Sequence, residues 1–217
     1  VSLALGHAPL SFTTKNDPNL KRIAIYRVPT GDALNKATHF GFYINSPPLN
    51  SSFSYIDGDN TVANLLSNPG FSSDTVWTKG VDWAIAAGVA SKAAGAATAL
   101  SQALGLTAAG GEVVRICYNL LTAAGANIRP RLTGGTNSLG ASETVAGIKL
   151  GAIVANAGND GFALNTAGAF VGTVDDVYAY VQTASCIAQG DWDYYAIPEN
   201  GSGIEGPQAT KLDIIVV

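Results

Sequence analysis

The sequence predicts a mainly β fold, an antiparallel jelly roll or β-sandwich with one Ala-rich helical insertion. Runs of β-branched and aromatic residues lie near both ends of the chain, glycine-rich turns separate them, and one Ala-rich stretch interrupts them. Short strands divided by such turns are typical of antiparallel sandwiches and barrels. A length of 217 residues suits one domain, so residues 1–217 are expected to form a single β-rich domain.

The N-terminal part of the chain is predicted to consist of strands and turns. Residues 23–28 are mostly β-branched or aromatic and end at Pro29, and residues 39–44 repeat this character. The loop between them predicts a hairpin or a neighbouring pair of Greek-key strands. Residues 62–66 follow as a predicted short helix, with Asn60 or Thr61 as its cap.

Residues 81–106 are predicted to form the helical insertion, because Ala is the best helix former and no Pro interrupts the run. A helix of about 24 residues would span about 36 Å, which is long enough to cross a bilayer. Lys92 lies near its centre, where a charge costs about 3 kcal/mol on insertion scales. A helix buried against a sheet or against neighbouring subunits is therefore favoured over a membrane span.

The second half of the chain is predicted to return to strands, at residues 112–121, 144–155, 161–170, 176–187 and 211–217. Glycine-rich turns divide them at residues 133–137 and 156–161. The last candidate strand is apolar, and an unpaired strand edge is a template for pairing with another chain. Ile214 and Val216 are therefore the candidate assembly residues.

The two cysteines, Cys117 and Cys186, leave two possibilities open. They could form a disulfide if the fold brings their Cα atoms to about 5.5 Å. Each also lies in an apolar run, and free Cys is among the most buried residue types, so two buried thiols are favoured. Neither belongs to a Cys-x-x-Cys motif or has a His nearby, which argues against a metal site.

No paired nucleophile and base is recognisable, so the chain is predicted not to be an enzyme. His39 begins a strand beside Phe40, which favours a packed histidine over a catalytic base. The sequence has no phosphate-binding Gly-x-x-x-x-Gly-Lys-Ser/Thr motif. Residues 136–140 approach a nucleophile elbow but lack its first glycine, and a glycine-rich turn explains them.

Two acidic clusters could bind ligands. Asp57 and Asp59 could offer oxygens to Ca²⁺, although the run lacks the glycine and the distal glutamate of an EF-hand loop, and a plain turn is favoured. Asp191 and Asp193 flank Trp192 and precede two tyrosines. This second cluster could stack a sugar ring or dock a partner, but a surface turn anchored by one buried aromatic is favoured. No other cofactor is predicted.

The composition favours a location in a virion or outside the cell. Charged residues make up 13% of the chain, against a usual share of about 25%. Glycosylation sequons at Asn50 and Asn200 fall in polar turns, where acceptors must be exposed. A chain that lacks Met and begins with Val1 is expected to have been processed or trimmed. The net charge of −4 offers no surface for a polyanion.

The order of elements resembles the shell domain of coat proteins from small icosahedral positive-strand RNA viruses. The similar stretches are residues 22–29 and 38–44, the predicted helix at 62–66, the loop bearing Trp77 and residues 172–181. The resemblance implies a jelly-roll capsid subunit that assembles with copies of itself, without catalysis, and in some members with Ca²⁺ between subunits. The Ala-rich segment has no counterpart there. The resemblance also implies encapsidated nucleic acid as a partner, bound through a basic arm that is absent from this sequence and would lie outside it.

Two functions of other classes stay open beside the capsid subunit. A secreted filament or surface-layer subunit would use the terminal strand, residues 211–217, for strand exchange between subunits. A secreted carbohydrate-binding module would use Asp191, Trp192 and Asp193. Binding to a membrane is not expected, because Lys92 would place a charge near the centre of the only candidate span.

Overall fold

The computed structural model describes residues 2–209 and 211–217, and the side chains from Ala4 onward within these ranges. These residues form seventeen β-strands and no helix. The strands are β1 (Ser2–Ala4), β2 (His7–Thr13), β3 (Leu20–Pro29), β4 (Phe40–Asn45), β5 (Ser52–Gly58), β6 (Thr78–Lys79), β7 (Trp83–Ala86), β8 (Val89–Lys92), β9 (Ala99–Ala103), β10 (Val113–Ala124), β11 (Ile128–Thr133), β12 (Ser138–Leu139), β13 (Gly147–Val154), β14 (Gly161–Thr166), β15 (Val171–Val181), β16 (Gly190–Asn200) and β17 (Leu212–Val216). The predicted mainly β fold with antiparallel sheets is confirmed.

The predicted helical insertion at residues 81–106 is wrong. This segment forms β7, β8 and β9, and β7 alternates buried Trp83 and Ile85 with exposed alanines. Ala87 and Gly88 both have positive φ, 52° and 77°, and close a two-residue hairpin between β7 and β8. The period-two burial of the large side chains outweighs the helix propensity of the small ones.

The predicted short helix at residues 62–66 is also wrong. The segment runs beside β15, where Leu65 N–H donates to the carbonyl of Ala179 at 2.7 Å. The Asn64 side chain accepts from the backbone N–H of Ala179 at 2.9 Å and of Leu66 at 3.2 Å. Backbone N–H groups that would form hydrogen bonds within a helix are therefore bound to other partners.

The chain divides into two compact units. Unit 1 comprises the chain up to Asn60 together with Ser185–Val216, and unit 2 comprises Thr61–Ala184 and Val217. In the sequence, unit 2 is thus an insertion between β5 and β16 of unit 1. The expectation of a single domain stays a prediction.

Unit 1 contains a five-stranded sheet in the order β1-β17-β16-β3-β4 and a two-stranded sheet of β2 and β5. All pairs are antiparallel except β1 with β17, which are parallel. One hydrophobic cluster draws on both sheets, with Leu10 of β2 packed among Ile25, Tyr194 and Ile214. The two sheets therefore pack face to face as a β-sandwich.

The terminal strand β17 is an interior strand of unit 1 and not an edge. It pairs with β1 on one side and with β16 on the other. Ile214 is 1% exposed and Val216 is 0% exposed, and both belong to the hydrophobic cluster of unit 1. The structure thus places the two candidate assembly residues in the core.

Unit 2 contains two five-stranded sheets, in the orders β13-β10-β15-β8-β7 and β12-β11-β14-β9-β6. Every strand pair is antiparallel. A second hydrophobic cluster combines Ile116 and Val174 of the first sheet with Leu132 and Phe162 of the other. Unit 2 is therefore also a β-sandwich, and β13 lies at the edge of one of its sheets.

Candidate functional site

An apolar stripe runs along the outward face of β13. Alternate residues of a strand point to opposite faces, and here Ile148, Leu150, Ala152 and Val154 all point outward. Ile148 is 43% exposed, Leu150 is 37% exposed and Val154 is 62% exposed. We call these four residues the β13 stripe.

Beside the stripe lies a row of β10 residues. In the β10–β13 ladder, Val154 is opposite Val113, Leu150 is opposite Cys117 and Ile148 is opposite Asn119. The charged member of this row is Arg115, opposite Ala152, and its Nε donates to Oε1 of Gln182 at 2.6 Å. The stripe itself contains no charged side chain.

The free edge of β13 has no outward lysine, no proline and no bulge, and the inward-pointing Lys149 is its one protective charge. The ladder between β10 and β13 runs over eight residue pairs without a register shift. The lysine of β13, Lys149, points inward, and its Nζ lies 3.3 Å from Oε2 of Glu143. The backbone groups along the outer edge of β13 are therefore open to pairing with another strand.

A small cavity of about 70 Å³ lies on the inner side of β13. Its lining includes Tyr118, Pro130, Gly140, Glu143 and Lys149. The Tyr118 hydroxyl is buried without a hydrogen-bond partner among the described residues. Burial raises the pKa of Tyr118, and the charge of Glu143 adds to this increase. The volume suits about two water molecules.

In unit 1, Asp57 belongs to a hydrogen-bond network. Its Oδ2 accepts from Nε and Nη2 of Arg27 at 3.0 and 2.7 Å, and from the hydroxyl of Tyr194 at 2.8 Å. Burial raises the pKa of Tyr194, and the negative charge of Asp57 raises it further. A guanidinium beside the carboxylate takes the place that a calcium ion would need.

Asp59, the other proposed calcium ligand, follows the end of β5, and its backbone N–H donates to the carbonyl of Gly6 at 3.3 Å. Within the described ranges, no group of three or more His, Cys, Asp or Glu residues could hold a metal ion. Sequence reasoning missed the role of Asp57 because its partner Arg27 lies on a different sheet of the sandwich.

The predicted surface turn around Trp192 is wrong, because Asp191, Trp192 and Asp193 all lie in β16. The two aspartates therefore point to the face opposite Trp192. Asp193 is 3% exposed and accepts from Nζ of Lys211 at 2.9 Å and from the hydroxyl of Thr30 at 3.2 Å. The three residues do not form one ligand cluster.

Trp192 instead lines an open groove of about 520 Å³ in unit 1. The other lining residues come from two separate stretches of sequence: Arg27, Pro29, Thr38, His39, Phe40 and Gly41. We call it the Trp192 groove. One indication of this groove was present in the sequence, the aromatic character of residues 39–44, and that character predicted only a strand.

The cysteines and sequons occupy different environments. Cys117 and Cys186 do not form a disulfide. Cys117 is buried, and burial raises its pKa to about 12, while Cys186 is partly buried. Asn50 is exposed. The Asn200 side chain instead accepts from the backbone N–H of Ser202 and of Ile204, each at 2.9 Å.

No protein-family model matches this chain, and no curated protein matches it with significance. Among the residues that the structure describes, no helix has the length and the apolar character that a membrane span requires.

Proposed function

We propose that this chain is a structural subunit of a larger assembly, a coat protein of a virus particle, and that it contacts a second copy through β13. The observation behind this proposal is the β13 stripe, an uncharged and exposed row on a straight strand edge. Exposed apolar surface on an unprotected edge is the usual mark of a contact with another chain.

The strand order of unit 2 supports the coat-protein part of the proposal. The orders β8-β15-β10-β13 and β9-β14-β11-β12 match those of an eight-stranded jelly roll built from two Greek keys. Strands β6 and β7 then extend the two sheets at their edges. Jelly rolls occur in viral capsids and in lectin domains, which agrees with a non-catalytic role in a virion or outside the cell.

A second copy fits the stripe better than a charged partner does. Two β13 strands can pair antiparallel across a two-fold axis, so that each stripe meets its own copy. Because the stripe has no charge, such pairing brings no like charges together. Completing the burial of Ile148, Leu150 and Val154 stabilises the contact by roughly 1 kcal/mol per side chain on each copy.

The test is sedimentation of the purified protein at micromolar concentration, with two matched variants. Leu150→Lys places a charge at the centre of the stripe, and Val81→Lys places one on a residue that is 68% exposed in unit 2 outside the strands. We expect the unmodified protein and Val81→Lys to associate and Leu150→Lys to sediment as a monomer with an unchanged circular dichroism spectrum. A monomeric unmodified protein, or association that persists in Leu150→Lys, would contradict the proposal.

A further inference from the structure

The Trp192 groove combines the two kinds of group that recognise a sugar. Trp192 and Phe40 line it, but the Phe40 ring packs against the rings of Tyr26 and Tyr43, with centroids 5.9 and 4.7 Å apart, so Trp192 supplies the stacking surface. Trp192 Nε1–H donates to the carbonyl of Ala188 at 3.1 Å, which fixes the orientation of the ring. Trp192 is partly buried against the hydrophobic cluster of unit 1, and Cζ of Arg27 lies 5.8 Å from the centre of its ring. The part of the Trp192 ring that lines the groove is therefore the surface that the apolar C–H face of a pyranose ring would contact.

Polar groups in the same groove are already held in place. Arg27 lines the groove, and its Nε and Nη2 are bound to Asp57. Asp57 is in turn held by the buried Tyr194. Nη1 of Arg27 has no partner among the described residues and remains available as a donor. A donor fixed before binding loses little entropy when a ligand arrives.

His39 adds a second donor of defined tautomer. Its Nδ1 accepts from the backbone N–H of Asn35 at 3.1 Å. The ring proton of the neutral imidazole is therefore on Nε2, which is free to donate to a ligand hydroxyl.

The pairing of Arg27 with Asp57 favours neutral ligands over anionic ones in the groove. The positive charge of Arg27 is compensated by Asp57, whose Oδ2 lies 2.7 Å from Nη2. The groove therefore has hydrogen-bond donors without a large excess of positive charge. Its volume of about 520 Å³ falls in the range of small-molecule sites. From these features we infer that the Trp192 groove binds a neutral saccharide, with a pyranose ring stacked on Trp192 and its hydroxyls bound by Arg27 and His39.

Tryptophan fluorescence offers a direct test. Trp77 and Trp83 are each 6% exposed and lie in unit 2, so a saccharide in the groove should change the emission of Trp192. The probes are three neutral β-linked disaccharides, namely lactose, cellobiose and N,N′-diacetylchitobiose, at up to millimolar concentration. Saturation-transfer NMR with the same sugars is the independent readout for variants that lack Trp192.

We expect at least one of the three disaccharides to change the emission and to receive saturation transfer. Trp192→Ala should weaken binding about tenfold, which matches the loss of one stacking contact. Trp192→Phe should retain part of the affinity. The matched control is Tyr55→Ala, which removes an aromatic side chain that is 39% exposed in unit 1 outside the groove; it should bind like the unmodified protein.

Two outcomes would overturn the inference. One is the absence of saturation transfer and of any emission change with all three disaccharides. The other is unchanged binding in Trp192→Ala, provided that its circular dichroism spectrum shows a folded protein, because the sugar would then bind elsewhere.

Discussion

Ile214 of β17 lies directly opposite Trp192 of β16 in antiparallel register. Both side chains therefore lie on the same face of the sheet, where Ile214 is completely enclosed and Trp192 is partly exposed at its margin. The strand that the sequence suggested for contacts between subunits is thus an internal support of the Trp192 groove.

Ile214→Lys should unfold unit 1 and not merely release a subunit contact. The substitution removes a side chain that is 1% exposed and buries an unpaired charge, so we expect a loss of about 4 kcal/mol or more in the free energy of unfolding. Urea denaturation followed by Trp192 fluorescence measures it. Leu212→Lys is the control, because Leu212 lies on the same strand but is 41% exposed, and it should change stability by less than about 0.5 kcal/mol. A stable, folded Ile214→Lys protein that dissociates would restore the terminal strand as the assembly contact.

Asp57→Asn should destabilise unit 1 by about 3 kcal/mol, because it removes the charge that balances Arg27 and weakens two charge-assisted hydrogen bonds. Thermal unfolding with and without millimolar CaCl₂ checks this. Neither the unmodified protein nor the variant should change its melting temperature with calcium, since the carboxylate oxygen already has three donors. Asp32→Asn, an exposed carboxylate in a turn, serves as the control with little effect. A calcium-dependent rise that Asp57→Asn abolishes would support a cation site instead.

Removing the hydroxyl group from two buried tyrosines should have opposite effects. Tyr118→Phe deletes a buried hydroxyl that has no partner among the described residues, and should raise the free energy of unfolding by about 1 kcal/mol. Tyr194→Phe deletes a hydrogen bond to the charged Asp57, and should lower it by about 2 kcal/mol. Urea unfolding of the two variants in parallel measures the difference. Destabilisation by Tyr118→Phe would instead indicate that its hydroxyl is bound to water in the cavity beneath β13.

Stability should fall at alkaline pH because burial raises the pKa of Cys117 to about 12. Below pH 9 the thiol is protonated in both states and contributes no pH dependence. Between pH 9 and pH 12 the unfolded chain loses this proton while the folded chain keeps it, so the free energy of unfolding decreases by up to about 4 kcal/mol. Urea unfolding at pH 7, 9, 10 and 11 gives the slope, and Cys117→Ala should flatten its onset near pH 9. An equal slope in Cys117→Ala would assign the effect to the buried tyrosines, whose pKa values are raised as well.

The sequence predicted strands best where β-branched residues are concentrated. Residues 23–28 became part of β3, and residues 144–155 contain β13 with its alternating stripe. Which face of β13 stays uncovered depends on the partner sheet, and that cannot be read from one strand. Ala-rich composition concealed β7 and β8, because the two large residues that alternate there, Trp83 and Ile85, were outweighed by helix propensity.

The candidate sites were harder to predict because their residues are distant in sequence. Arg27 and Asp57 lie on facing sheets of the sandwich. In the sequence alone, neither residue differs from an ordinary surface charge. In the same way, Trp192 looked like part of an acidic turn, whereas the strand directs its neighbours Asp191 and Asp193 to the other face. The packing of β3 against β5 determines the first arrangement, and the alternation of side chains along β16 determines the second.

The parallel pairing of β1 with β17 has a consequence for how the chain bears mechanical force. Tension that pulls β1 from its N-terminal end and β17 from its C-terminal end loads their hydrogen bonds in shear, so that all of them resist together and do not unzip one by one. The load then passes directly from β1 to β17. Unit 2, inserted in the sequence between β5 and β16, stays out of the path of the force until that pair of strands separates.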